Sequence, residues 1–385
     1  MTELKIMFWN IENVYDFKIV TPDELALEDQ IGAGTEPSNE TPESGDQKEE
    51  RIKKLEAQAK KLFQQERVEH REKVASIIKA VDPDIVVMVE LSVGKADLVQ
   101  SGQVAKGKRK SIKNAFVEFD HWGPRQYQVS LNDLYQKERN KDRWWASATS
   151  QVNCSDLVPE LNEAGELQGI KHKNTMFELY GLLWDEKKVD LVGDFRVTNR
   201  RAKGKLNFFQ RNPGVARFQE VGPSRRQFLL VMIHSGYGGE STSVDDLRKK
   251  RGKIISNMMY LNDVDKAING PKFSPIVIAG DFNLDYGKQA EKGYYKPFEQ
   301  QGFRERINGK TTLGKITKTF PKTYTRNAYD NIFTRGFAND ASLGGIKDFV
   351  KDEFGVPEPS REHAQKIEEA LKISNHLPVY ATVRF

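Results

Sequence analysis

Apolar residues along this chain gather into short runs that end on polar ones. Leu4 to Ile11 is a β-type run with Asn10 near its end. Glu50 to Ala80 instead repeats apolar residues at helical spacing, among them Leu55, Leu62, Val74, Ile77 and Ile78. Asp82-Pro83 closes that helix, because proline cannot continue it. Asp84-Ile-Val-Val-Met-Val-Glu90 is a continuous apolar run, the pattern of a strand buried on both faces. Further strands are expected at Phe177–Trp184, Val189–Val192, Phe228–His234 and Ile276–Gly280, with a helix from about Val244 to Leu261 between the last two. Asn331–Thr334 and Pro378–Phe385 complete the set.

No internal period is visible, which argues against a solenoid. Many strands without regular βαβ alternation predict an α/β fold of the α+β type: a four-layer sandwich of two packed mixed β-sheets flanked by helices. Residues 1–385 are read as a single catalytic domain with two interruptions. The first, at about residues 21–47, is acidic and rich in Pro, Gly, Ser and Thr, a composition that cannot bury a core of its own. The second, at about residues 95–173, is basic with scattered aromatics (Trp122, Tyr127, Trp144, Trp145) and carries no motif.

Composition narrows the class. With 38% hydrophobic and 30% charged residues, the chain has no run near the roughly 18 apolar residues of a membrane span. The start, MTELKIMFWNIENV, lacks the plan of a secretory signal, and the single Cys154 cannot form an internal disulfide. An intracellular, cytoplasmic protein is expected. Net charge is only +5, but it is segregated: ten acidic residues lie between Thr21 and Glu50 against Lys48 alone. Basic clusters occur at Lys106, Lys108, Arg109, Lys110 and Lys113; at Arg200, Arg201, Lys203 and Lys205; and at Arg225 and Arg226. Each fits a solvated loop as well as a phosphate-backbone footprint.

The polar residues at the strand ends are the pattern that asks for chemistry. Asn10, Glu90, His234, Asp281 with Asn283, and His376 each border an apolar run. Taken singly, each suits a turn or an ion pair. If the strands are neighbours, their ends converge on one cleft holding two imidazoles, two carboxylates and two amides. Phosphodiester hydrolysis needs a cation to balance the phosphate and groups that move protons near neutral pH. Hard oxygens suit Mg²⁺, Mn²⁺ or Ca²⁺, and imidazole suits the proton transfer.

In order, the chain reads Phe8-Trp-Asn10-Ile-Glu-Asn, Asp84 to Glu90, Ile233-His234-Ser235, Gly280-Asp281-Phe282-Asn283, Tyr329-Asp330-Asn331-Ile332 and Ser374-Asn375-His376-Leu377-Pro378-Val379. This series resembles the endonuclease/exonuclease/phosphatase superfamily, and within it the deoxyribonuclease I-like nucleases most closely. Two more segments add to the likeness: Phe177-Glu178-Leu-Tyr-Gly-Leu-Leu-Trp, and Arg211-Asn-Pro-Gly-Val-Ala-Arg-Phe218. The resemblance implies that His234 and His376 are the acid/base pair, with Glu178 and Asp330 orienting them. It implies Glu90 as principal metal ligand with Asn10 beside it, Asp281 and Asn283 on the scissile phosphate or attacking water, and Arg211 on a flanking phosphate.

The implied cofactor is Mg²⁺, with Mn²⁺ or Ca²⁺ as substitutes. The implied activity is metal-dependent hydrolysis of nucleic-acid backbone, with a DNA endonuclease favoured and the choice between DNA and RNA, and between internal and terminal cleavage, left open. The fold alone leaves open a phosphoesterase of small molecules or lipid head groups, and a non-catalytic nucleic-acid-binding module. One departure stands out: the family reads Ser-Asp-His where this chain has Ser374-Asn375-His376, so a neutral amide replaces a charged metal ligand at Asn375.

Overall fold

The computed structural model describes residues 3–11, 68–91, 124–137, 143–161, 167–198, 209–236, 243–270, 274–314, 323–338 and 344–385. The acidic segment 21–47, the first part of the predicted helix (50–67), and the basic clusters at 106–113 and 200–205 lie outside these residues.

Two mixed sheets face each other. The first runs β12 (Gly345–Ile346), β13 (Val379–Arg384), β1 (Glu3–Asn10), β2 (Ile85–Leu91), β4 (Leu167–Asp185) and β3 (Trp145–Leu161). The second runs β10 (Arg304–Glu305), β11 (Asp330–Arg335), β9 (Ile276–Asp281), β8 (Gln227–His234), β7 (Gly214–Glu220) and β5 (Val189–Leu191), with β6 (Arg196–Val197) also on β7. β1 lies parallel to β2, and β8 parallel to β9, so each pair needs a crossover. Helix α1 (68–81) lies on the first crossover. Helices α3 (Val244–Met258) and α4 (Asn262–Asn269) lie on the second, while α2 (Pro124–Lys137) precedes β3.

Strand periodicity sorts the core into three layers. Along β1, Leu4, Ile6 and Phe8 pack between the sheets against Phe228, Leu230 and Met232 of β8. The alternate residues, Met7 and Trp9, face Val74, Ile77 and Ile78 of α1 and Leu131 and Tyr135 of α2. On the far side, Leu229, Val231 and Ile233 of β8 meet Ile254, Ile255 and Met258 of α3 and Val264 of α4. Each side chain so buried stabilises the fold by roughly 1.5–3 kcal/mol. The result is helix, sheet, sheet, helix, as the sequence predicts.

Within residues 95–173, read from sequence as a basic interruption with no motif, the described residues form regular elements. Residues 124–137 form α2, which buries Leu131 and Tyr135 on the first sheet. β3 and β4 pair along their whole length, from Trp145↔Asp185 to Leu161↔Leu167. The strand expected at Phe177 starts at Leu167. β2 pairs with β4 only between Ile85↔Trp184 and Leu91↔Leu179, so residues 167–178 run past its end. A ribbon with a strand neighbour on one side only need not carry the continuous apolar run that marks a buried strand. Among the described residues, no helix is long and apolar enough to cross a membrane.

Candidate active site

Topology brings the polar strand ends together. β1 and β2 end at the same edge of the first sheet, where Asn10 is in register with Val89, next to Glu90. In the second sheet His234 is in register with Asp281, and Asp281 with Asp330 on antiparallel β11. The sheets meet here, because the Asn10 side-chain amide donates to Asp281 Oδ2 at 3.1 Å. Gly280, just before Asp281, packs so tightly on the carbonyl of Ile233 that a Cβ has no room.

His376 is held from several directions. Its Nδ1 lies 2.7 Å from Asp330 Oδ2. Its backbone N–H donates to Ser374 Oγ at 2.9 Å, and that hydroxyl donates to the carbonyl of Asn10 at 2.7 Å. Its carbonyl accepts from the Trp9 indole at 2.9 Å. The Thr311 hydroxyl oxygen accepts from the backbone N–H of Asp330 at 3.0 Å. Burial lowers the His376 pKa, but the carboxylates of Asp330, Asp281 and Glu90 outweigh it and raise the value to about 9. Asp330 is pushed up by burial, against the opposing pull of the imidazolium.

His234 Nε2 faces Glu90 Oε1 at 2.8 Å and Asp281 Oδ2 at 3.8 Å. His376 Nε2 lies 3.9 Å from the same Asp281 oxygen, so one carboxylate stands between the two imidazoles. Tyr180 of β4 accepts from the His234 backbone N–H through its hydroxyl at 3.1 Å. The pairing of His234 with Glu178 lies outside the described side chains; Glu178 sits on β4 next to Leu179, the partner of Leu91.

The segment after β9 is an Asp-anchored turn. Asp281 Oδ1 accepts from the Asn283 backbone N–H at 2.8 Å, and Asn283 adopts a left-handed φ of 50°. The Asn283 side-chain amide donates to the carbonyl of Ser235 at 2.8 Å. Arg211, half-buried just before β7, points to the same carbonyl at 3.5 Å. Of the basic clusters, Arg225 and Arg226 lie in the turn between β7 and β8, at the opposite end of the strand from His234. The supports Ser235, Ser374, Thr311 and Tyr180 are not legible in sequence, because each acts on its neighbours' backbone through a common residue type.

The donor set fits a hard divalent cation. Glu90, Asn10 and Asn375, the residues expected to hold the cation, would offer carboxylate and amide oxygens, and Asn375 Oδ1 is buried without a hydrogen-bond partner. Glu90 itself has a left-handed φ of 58°, a costly conformation for a side-chain-bearing residue and one that recurs at functional sites. Asp281, Asp330 and His376 also bring one ligand atom each within 4.8 Å of one another. Within that trio, His376 Nδ1 and Asp330 Oδ2 are in contact with each other, and Asp330 Oδ1 is buried without a hydrogen-bond partner.

No protein-family model matches the chain, and no curated protein matches it. Solved structures do. The human Nocturnin catalytic domain, in a structure with bound sulfate anion, is 12% identical, with 100% of this chain and 94% of that one covered and a TM-score of 0.43. A mannosyl-6-phosphatase of Bacteroides thetaiotaomicron is 13% identical over 99% and 100% of the two chains, at a TM-score of 0.40. An endonuclease/exonuclease/phosphatase family protein of Leptotrichia buccalis is 11% identical over 99% and 100%, at a TM-score of 0.42.

Proposed function

We propose that this chain is a divalent-metal-dependent phosphodiesterase acting on nucleic-acid backbone, on DNA in preference to RNA. The observation that carries the reading is the placement of two imidazoles about Asp281, one of them bonded to the buried Asp330. That arrangement suits in-line displacement at phosphorus, where one group takes a proton from water and another gives one to the departing oxygen. His376, with its pKa near 9, carries its proton at neutral pH and suits the acid role. His234 suits the base role, with Glu178 as its orienting partner in this reading.

Glu90, Asn10 and Asn375 would hold Mg²⁺ or Mn²⁺, which when bound supplies positive charge to the phosphate. Asp281 and Asn283 would fix the phosphate or the attacking water. Arg211 would take a flanking phosphate as a forked donor. In the same reading residues 1–385 are one catalytic domain that works in the cytoplasm.

The test is direct: circular plasmid, linear DNA, RNA and a phosphoinositide panel are each incubated with Mg²⁺, Mn²⁺, Ca²⁺ or EDTA. Nicking of plasmid with Mg²⁺ or Mn²⁺, abolished in His376→Ala, is expected. Release of phosphate from phosphoinositides with no attack on nucleic acid would replace this reading with a small-molecule or lipid phosphoesterase.

A further inference from the structure

Helix α3 carries a cation where the helix geometry calls for an apolar side chain. Ile254, Ile255 and Met258 are buried in the outer core of the second sheet. Arg251 stands three, four and seven residues before them, on the same stripe. It is only 8% exposed. Next to it, Gly252 lies so close to the Tyr294 ring that a Cβ has no room, which fixes the helix at this height.

The buried guanidinium is directed at two main-chain oxygens. Its NH1 donates to the carbonyl of Asn283 at 2.6 Å, and its Nε to the carbonyl of Gly236 at 3.3 Å. Asn283 lies two residues after Asp281, and Gly236 two residues after His234. These two turns otherwise hold each other. The Ser235 backbone N–H donates to the carbonyl of Asp281 at 2.8 Å, and the Asn283 side chain to the carbonyl of Ser235 at 2.8 Å. Arg251 ties both turns to a third element.

Stability alone gives a poor reason for a guanidinium at this position. Replacing a buried charged group by an apolar one of similar volume is often neutral or stabilising. What an apolar residue cannot do is hold two carbonyls in fixed directions. Asn283 needs such a hold, since its left-handed φ persists only where its surroundings enforce it.

We propose that Arg251 is a positioning residue for the phosphate-gripping turn, setting the orientation of Asn283 and, through it, of Asp281 and His234. The proposal rests on the phosphodiesterase reading above. It adds a requirement that reading does not contain: a guanidinium outside the reacting groups on which turnover depends.

The experiment uses the full chain with Arg251→Met, Arg251→Lys and Arg251→Ala. Steady-state rates are measured on bis(p-nitrophenyl) phosphate, alongside thermal unfolding and amide hydrogen exchange. Arg251→Met should keep its unfolding temperature while kcat falls on the order of a hundredfold at little-changed KM, as for a misplaced reacting group. Arg251→Lys should retain more activity. In Arg251→Ala, added guanidinium ion at tens of millimolar should restore rate and methylammonium should not. The amides of Ser235 and Asn283 should exchange faster in the Met and Ala variants, with those of Val231 and Ile278 unchanged.

Unaltered kcat in a folded variant overturns the proposal. So does a loss of rate that tracks the unfolded fraction and resists guanidinium. Should the Met and Ala variants fail to fold, Arg251→Lys decides, because full activity there would show that the forked donor is not needed. A wild-type protein that cleaves no phosphodiester sinks the parent reading instead, and the amide exchange then decides Arg251's hold on the turns: no acceleration refutes it.

Discussion

His234 Nε2 and Glu90 Oε1 stand 2.8 Å apart, which makes the histidine ring a reporter of whatever binds the carboxylate. Glu90 lies one residue before the end of β2 and His234 closes β8, so the contact also joins the two sheets. Titrating Mg²⁺ or Mn²⁺ into the wild type should shift the His234 ring resonances, and Glu90→Gln should abolish the shift at the same concentrations. Cleavage should stop in EDTA and return with excess metal. Full activity after exhaustive chelation would remove the metal from the mechanism.

Asn375 invites the opposite manipulation. Its Oδ1 is buried without a partner, in the segment that Ser374 ties to Asn10. In the proposed metal site, Asn375→Asp would add a negative oxygen to those of Glu90 and Asp281. The divalent ion should bind more tightly, so half-maximal rate should come at a metal concentration several-fold lower. In the metal-free protein the extra carboxylate should cost stability through repulsion. An unchanged metal titration, with unchanged melting, would mean that residue 375 does not meet the ion.

The sequence was informative wherever burial imposes a pattern. β2 and β8, enclosed by the inter-sheet core on one side and helices on the other, print continuous apolar runs and were legible with their polar ends. Residues 167–178 of β4, past the end of β2, print no such run and were not. At the site, the residue types near His376 were readable, including Asp330 from the ordered motifs. The contact of Glu90 with His234 was not, because it depends on how strands of two different sheets come face to face rather than on spacing within either strand. Ser235 and Arg251 escaped for a related reason: they act on carbonyls, which every residue has.

A buried histidine away from the reacting groups should shape the acid limb of stability. His70, on α1, sits with Nε2 3.3 Å from the carbonyl of Ile373, just ahead of Ser374. Burial lowers its pKa below the usual 6.5, and the bond to Ile373 only partly opposes this. The folded state therefore prefers the neutral ring. Its contribution is fully present above about pH 6.5 and is lost as pH falls through the lower folded value. His70→Gln keeps a donor for Ile373 but does not titrate. Urea midpoints at pH 8 and pH 5 should therefore differ less in the variant than in the wild type. Equal acid sensitivity of the two proteins would assign the acid limb to other groups.

The 2.7 Å contact between His376 Nδ1 and Asp330 Oδ2 makes the strongest demand, because it couples two residues that the chain separates by two strands and two helices. If the carboxylate works only through the imidazole, removing either partner removes the same function. His376→Ala should lower turnover by roughly a hundredfold or more, the range for losing a general acid or base. Asp330→Asn should lower it less, since the amide oxygen can still orient the ring. The double variant should be no worse than His376→Ala alone, so the losses are non-additive. The same pair can be read without turnover. In the metal-free wild type the His376 ring should titrate near pH 9, and Asp330→Asn should bring that midpoint down, because the largest of the charges that raise it has gone. Additive losses, together with a midpoint that stays in place, would mean that the bond holds the loop before β13 and takes no part in moving a proton.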